Sequence, residues 1–243
     1  MNKIIVSIIV PTLNEEKYIL GCLNSLNNQT ISRKKYEIIV SDSSSNDNTV
    51  KVAKRLADKV VVCKRQSAGF GRNFGVKKSK GKYLGFVDAD SVVSNNWVEG
   101  LIESLNKGVA STGPIEELEK ESLKIKLFFD LWDLQTRASI LFGKPLIPGA
   151  NFGITKKLFD KLGGFPDGNI ICEDIMLSRE LPKHGKVIFS EKMIVKTSSR
   201  RKDLTLSKHV LSRVKFFITN KAMSWDDYRK DYSKNKELAK KKQ

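Results

Sequence analysis

Cysteine is scarce in this 243-residue chain, and the little there is cannot staple it. Cys22, Cys63 and Cys172 are odd in number, far apart and form no C-x-x-C pair, which argues against a zinc ribbon or a dithiol redox motif. Cys22 and Cys63 stand among apolar residues and read as core. A reducing, cytosolic compartment fits this usage best. Long apolar runs are missing too: no stretch reaches the roughly 18 residues a membrane span needs. The run from Ile4 to Val10 is too short for a secretory leader and lacks a small-residue cleavage site. A soluble protein is expected, or a peripheral one on the cytoplasmic face of a membrane.

Acidic residues are outnumbered, 27 against 44 basic, for a net charge of +17. Residues 199–243 alone hold 14 Lys/Arg and 5 Asp/Glu, so about half of the excess lies there. Such an end suggests an anionic partner: phospholipid head groups, a lipid phosphate or nucleic acid. A solvated lysine-rich helix explains it as well. Internal repeats are absent, and Lys240-Lys241-Lys242 is the only low-complexity stretch. With 40% hydrophobic residues the chain can bury a full core without disulfides.

Ile4 to Val10 is a near-continuous β-branched run and predicts a buried parallel strand. A helix should follow. Thr12-Leu-Asn-Glu15 has capping-box spacing, and Ile19, Cys22, Leu23 and Leu26 keep the i, i+3, i+4, i+7 rule. Further strands are predicted at Glu37–Ser41, Val60–Val62 and Tyr83–Val87. Helices are expected from about Val50, after Gly69–Gly75, and over Trp97–Leu105. Strand–helix alternation with short links predicts an α/β fold with a mainly parallel central sheet and helices on both faces. Beyond residue 110 the pattern changes. Leu118 to Phe142 reads as one long helix whose apolar side belongs to the core, or touches lipid or an acceptor. Short strands are expected at Gly149–Ile154, Val187–Ser190 and Met193–Thr197. Short helices are expected at Lys156–Lys161, stopping at Gly163-Gly164, and at Glu173–Leu181. From Leu204 onward the chain looks helical and basic.

The most informative residues are Asp88 and Asp90, at the end of the apolar run Tyr83–Val87. Alternate residues of a strand point the same way, so two carboxylates emerge together where the strand leaves the core. They repel unless a cation stands between them, and carboxylate oxygen suits Mg²⁺ or Mn²⁺. Two solvated aspartates in a turn are the plain alternative. Pro11-Thr12 and Asp42 also fall at strand ends, and ligands of such sheets bind outside the carboxyl ends of the strands. Gly69-Phe-Gly71-Arg72-Asn73-Phe-Gly75 is not a dinucleotide fingerprint, because its spacing is G-x-G-x-x-x-G and it follows the third strand. Its glycines could still admit a phosphate or a base, with Arg72 as a fixed cation. Glu173-Asp174 is either a helix cap or a general base near the rim.

In this order the segments resemble the family 2 glycosyltransferases, which have the GT-A fold. The resemblance rests on Val6-Ser-Ile-Ile-Val-Pro-Thr-Leu-Asn-Glu15, Glu37-Ile-Ile-Val-Ser-Asp42 with Asn46-Asp-Asn-Thr49, Ala68–Gly75, Asp88-Ala-Asp90, Gly149-Ala-Asn-Phe152, Gly163-Gly-Phe165 and Glu173-Asp174. It covers roughly residues 4 to 200. It implies a GT-A-like domain over 1–200, with a Rossmann-like nucleotide-binding half at 1–110 and an acceptor and catalytic half at 111–200. A basic helical tail would follow at 201–243. It implies a nucleoside-diphosphate sugar donor, UDP-linked by preference, and inversion at the anomeric carbon. Pro11, Thr12 and Glu15 match the first nucleotide-contacting loop, Asp42 the base-binding acid and Arg72 the arginine near the nucleotide. Asp88 matches the ribose-side acid, Asp90 the ligand of a Mn²⁺ or Mg²⁺ ion, and Asp174, beside Glu173, the catalytic base.

Two positions depart from the family pattern. A further acid often follows Glu-Asp-x, and here it is Met176. A histidine often stands near the metal in the later strands, where this chain has Thr197-Ser-Ser-Arg-Arg201. Arg200 and Arg201 could clamp the diphosphate there, or form a basic surface turn. The leading expectation is a metal-assisted transferase acting on a lipid-linked, polysaccharide or glycan acceptor, held at an anionic membrane surface by its tail. The competing readings are a nucleic-acid-binding protein, which leaves Asp88 and Asp90 unexplained, and a nucleotide-sugar-binding protein without turnover.

Overall fold

The computed structural model describes residues 3–64, 66–119, 123–166, 168 and 172–200, with the side chain of Lys124 left out. The basic stretch 201–243 and the assignment of Arg201 lie outside the described residues. In chain order the elements are β1 (Val6–Thr12), α1 (Ile19–Asn27), β2 (Tyr36–Asp42), α2 (Thr49–Leu56), β3 (Lys59–Val62), α3 (Ala68–Val76) and β4 (Tyr83–Val87). Then come β5 (Ser91–Val93), α4 (Trp97–Lys107), β6 (Ala110–Thr112), β7 (Ile115–Glu117) and α5 (Leu123–Leu141). The last are β8 (Asn151–Thr155), α6 (Lys156–Leu162), α7 (Glu173–Glu180), β9 (Val187–Phe189) and β10 (Val195–Thr197).

The α/β expectation holds. Seven strands form one sheet in the order β3-β2-β1-β4-β8-β6-β9, and only β8 runs against the others. Alternation along β1 fills both faces. Val6, Ile8 and Val10 face α1, α2 and α4 through Ile19, Leu23, Ala53, Trp97 and Leu101. Ile9 faces the other layer, with Val76 of α3, Phe159 of α6 and Leu177 of α7. A strand buried on both sides needs the unbroken apolar run seen in the sequence. On the second face Phe165 meets Phe86, Phe152 and Phe159 edge-on, at ring separations of 5.0, 6.1 and 5.7 Å. Gly163 ends α6 in the left-handed region at φ 79°, as the Gly163-Gly164 stop predicts. The three cysteines are buried and form no disulfide.

A second sheet has the order β5-β10-β7, with β10 antiparallel to β5 and parallel to β7. Asn151, fully buried at the start of β8, joins the two sheets. It accepts from Trp97 Nε1 at 3.0 Å and donates to the carbonyls of Met193 at 2.7 Å and Pro114 at 3.2 Å.

Three local expectations are corrected. Thr12-Leu-Asn-Glu15 is no capping box: α1 starts at Ile19, and Thr12 is the last residue of β1, donating to Asp42. Of the expected helix Leu118–Phe142, α5 is described over Leu123–Leu141, and Leu118 and Glu119, which follow β7 directly, are not helical. Nor is its leucine side core. Leu123, Leu127, Leu131, Leu134, Leu141 and Phe142 are exposed, while Phe129 alone among the large apolar side chains of α5 is fully covered. Among the described residues no helix is long and apolar enough to cross a membrane.

Candidate active site

The carboxyl ends of β1, β2 and β4 meet on one rim, and the helices that follow deliver charge to it. Thr12 and Asp42 are register partners, and Thr12 Oγ1 donates to Asp42 Oδ2 at 2.9 Å. Ser45 adds a backbone N–H to Oδ1 at 2.8 Å and its hydroxyl to Oδ2 at 2.6 Å. Asp42 is fully buried, so its carboxylate shapes the 43–48 loop from beneath and does not face outward. Pro11 lies under Gly71 of α3.

Arg72 is the centre of the site. It is 4% exposed, yet its guanidinium bridges Asp88 Oδ1 at 2.7 Å and Glu173 Oε1 at 3.3 Å, over the ring of Phe165. Among the described residues its Nε has no hydrogen-bond partner. Burial pulls its pKa down, but Asp88, Glu173 and Asp174 outweigh that and hold it above the usual value. Two glycines make the room. A Cβ at Gly149 would come within 2.7 Å of the guanidinium, and one at Gly69 within 2.8 Å of Glu173 Cγ. The glycines of Ala68–Val76 therefore serve packing: Gly75 also meets Ile9, and the segment is itself α3, capped by Ser67 Oγ on the Phe70 N–H.

Glu173 and Asp174 open α7. Burial, and Asp174 next to it, push Glu173 up to about 7, against the pull of Arg72. Asp174 is oriented by backbone: Gly149 N–H donates to Oδ2 at 2.7 Å and Ile175 N–H to Oδ1 at 2.8 Å. Asp88, Arg72, Glu173 and Asp174 thus form one connected group, drawn from the end of β4, from α3 and from α7.

Asp90 belongs to a second group. Arg200 pairs with Asp90 Oδ2 at 3.1 Å and with Glu15 Oε1, and lies 4.4 Å over the ring of Tyr18. Among the described residues no three acidic, histidine or cysteine side chains converge as a cage for an ion. The donor chemistry still fits a hard cation. Asp90 offers carboxylate oxygen at the rim and already draws a positive charge, and Mg²⁺-type ions take one or two carboxylates with substrate phosphate and water. Tyr18, Gly149 and the Glu117–Glu119 turn escaped the sequence reading. Of these, only Gly149 carried a signal, through the Gly149–Phe152 segment.

The mainly parallel sheet, with its polar rim at the strand ends, can be set beside known proteins. Residues 7–163 match the family described as "Glycosyl transferase family 2", and the chain belongs to it. The chain is similar, at 26% identity over 202 residues, to a dolichyl N-acetyl-α-D-glucosaminyl phosphate 3-β-D-2,3-diacetamido-2,3-dideoxy-β-D-glucuronosyltransferase of Methanococcus voltae, with 78% of this chain and 57% of that protein covered. It is 31% identical over 107 residues to glycosyltransferase AglE of Haloferax volcanii, covering 42% of this chain and 35% of that one. The chain thus spans about a third to under two thirds of these relatives. Among solved structures, the mannosyltransferase PcManGT of Pyrobaculum calidifontis, in complex with GDP-Man and Mn²⁺, superposes with TM-score 0.68 at 19% identity, covering 91% of this chain and 66% of that one. S. aureus TarS 1-349 with UDP-GlcNAc gives 0.65 at 21%, over 81% and 59%. The likeness establishes the GT-A fold.

Proposed function

We propose that this chain is an inverting glycosyltransferase that moves a sugar from a nucleoside-diphosphate sugar, UDP-linked by preference, to a lipid-linked, polysaccharide or glycan acceptor. The observation that carries this reading is the connected group Asp88–Arg72–Glu173–Asp174, which sets a fixed cation and an oriented carboxylate around one rim. Pro11, Thr12 and Glu15 border the nucleotide, and Asp42 supports the loop against which the base lies. Asp88 receives the ribose side. Arg72 holds Asp88 in place, and Glu173 holds Arg72.

Asp90 would hold the divalent cation, Mn²⁺ or Mg²⁺, with the donor's phosphates. When bound, that ion supplies positive charge to the departing diphosphate. Arg200 stands close enough to share the task, and its planar fork suits phosphate oxygens. Asp174 takes the proton of the acceptor hydroxyl. Its two backbone N–H bonds fix the carboxylate's direction, which general-base catalysis requires. Where the acceptor is a phosphate its oxygen is already ionised, and Asp174 then orients it.

Relatives named for dolichyl-linked and poly(ribitol-phosphate) acceptors support an acceptor that is anchored or polymeric. The exposed leucines of α5 support contact with an anionic membrane surface at the cytoplasmic face, alongside the basic residues 201–243. A thermal-shift screen with UDP-, GDP- and dTDP-sugars, with and without Mn²⁺, tests the donor and the cation. A shift that ignores the metal sinks the assignment of Asp90. Asp174→Asn is expected to keep donor binding and lose about 10²–10⁴-fold in turnover. Unchanged sugar release would remove the base. Equal binding to anionic liposomes before and after truncation at about residue 202, at low and high salt, would remove the membrane from the reading.

A further inference from the structure

We infer that Arg200 is a built-in counter-cation for Asp90, so that a divalent ion and the donor diphosphate bind as one cooperative unit. The inference rests on Asp90 as the metal-side acid. Three observations carry it. First, Arg200 already occupies the face of Asp90 that a cation would use, 3.1 Å from Oδ2, and it shares that ion pair with Glu15. Second, the pair is held from behind. Ser198 donates its N–H to the Asp90 carbonyl at 3.1 Å and its hydroxyl to Glu119. Ser199 donates its N–H to Glu119 Oε2 and its hydroxyl to Glu117 Oε1, both at 2.8 Å. The strap from Ser198 to Arg200 thus grips Asp90 by backbone and by side chain together. Third, the guanidinium is backed by the Tyr18 ring at 4.4 Å, which favours a retained cation.

The charges then decide the order of events. Glu15 and Asp90 both bring a carboxylate to the Arg200 guanidinium. A dication entering alone would stand against the guanidinium, like charge beside like, and would compete for the same carboxylate. A diphosphate changes the balance. It would bring negative oxygens that accept from the guanidinium fork, and it would offer the ion further oxygen ligands beside Asp90. Arg200 turns to the phosphates, and Asp90 is released to the ion. By linkage, the nucleotide tightens the ion as much as the ion tightens the nucleotide.

Calorimetry on the full chain tests this without any turnover. Mn²⁺ is titrated alone into the wild type, Arg200→Ala, Arg200→Gln, Arg200→Lys and the double variant Arg200→Ala/Asp90→Asn. UDP and GDP are titrated with and without Mn²⁺. The neutral variants are expected to bind Mn²⁺ about tenfold more tightly than the wild type, with Arg200→Lys close to the wild type. Nucleotide–Mn²⁺ coupling is expected to fall about tenfold in the neutral variants, what remains being the ion's direct ligation by the diphosphate. The double variant should lose the gained Mn²⁺ site. Two neutral variants guard against misfolding in either, with circular dichroism as the check. If neither binds Mn²⁺ more tightly, Arg200 does not compete and the inference falls, while Asp90 keeps its assignment. If the double variant binds Mn²⁺ as tightly as Arg200→Ala, the assignment of Asp90 itself is wrong.

Discussion

Replacing Arg72 with methionine removes the guanidinium while keeping much of the stem, and the cost of that change should depend on pH. Glu173 sits at about 7 against an ordinary 4.5, because burial and Asp174 outweigh Arg72. Without Arg72 only a backbone hydrogen bond still opposes the upward push, and the folded pKa rises further. The sign follows from proton counting. Above pH 4.5 the unfolded chain releases the Glu173 proton and the folded chain keeps it, so stability falls as pH rises, until the folded pKa is passed. In the wild type the fall ends near pH 7. In Arg72→Met it continues. One pH unit is worth about 1.4 kcal/mol, so the variant should lose about 1.4 kcal/mol more at pH 8 than at pH 5.5. A pH-independent part from the broken pair to Asp88 adds to this, for about 3–5 kcal/mol in all at pH 8. For a chain of this size the pH-dependent part is an extra drop of about 3–6 °C in Tm. Thermal and urea denaturation at the two pH values read it directly. Adding Glu173→Gln should erase the pH-dependent part. A penalty of the same size at both pH values, or one left unchanged in the double variant, would refute the pairing of Arg72 with a charged Glu173.

Gly149→Ala should be felt at the same place, since the new Cβ would lie 2.7 Å from the guanidinium. A loss of about 1–3 kcal/mol in urea denaturation is expected, and Arg72→Met should relieve most of it. Asn151→Ala would leave the Trp97 indole N–H and the carbonyls of Met193 and Pro114 unpaired. It should cost about 3–5 kcal/mol, and a loss below about 1 kcal/mol would show that water replaces the side chain.

What the sequence disclosed follows the length and self-sufficiency of each signal. β1, β2 and β4 are apolar runs buried on both faces, so their ends, and with them Thr12, Asp42 and Asp88, could be placed from local pattern. β5, β6 and β7 have three residues each, less than two periods of alternation, and owe their pairing to strands far away in the chain. Thr12 and Glu15 imitate a capping box because the residue types are right. Their true partners, Asp42 and Arg200, are 30 and 185 residues away. Charge partners of this kind leave no local mark: Arg72 and Glu173 are 101 residues apart. The α5 stripe misled for a different reason. Helical periodicity reports that a helix has an apolar side and says nothing of what covers it.

The small sheet β5-β10-β7 has a consequence for how the chain folds as it is made. Its central strand is the last strand described, and the hydroxyl contact between Ser91 and Thr197 closes a loop of 106 residues. During synthesis β1 to β4 can assemble long before that strand is made. Asp90 then waits without the strap that holds its carbonyl. Contacts of such long sequence separation form late and slowly. The nascent chain can therefore hold β1 to β4 folded while the rim around Asp90 is still unfinished, until residues near 200 have left the ribosome. A truncation just before Val195 would not trim an edge: it would remove the strand on which both neighbours depend.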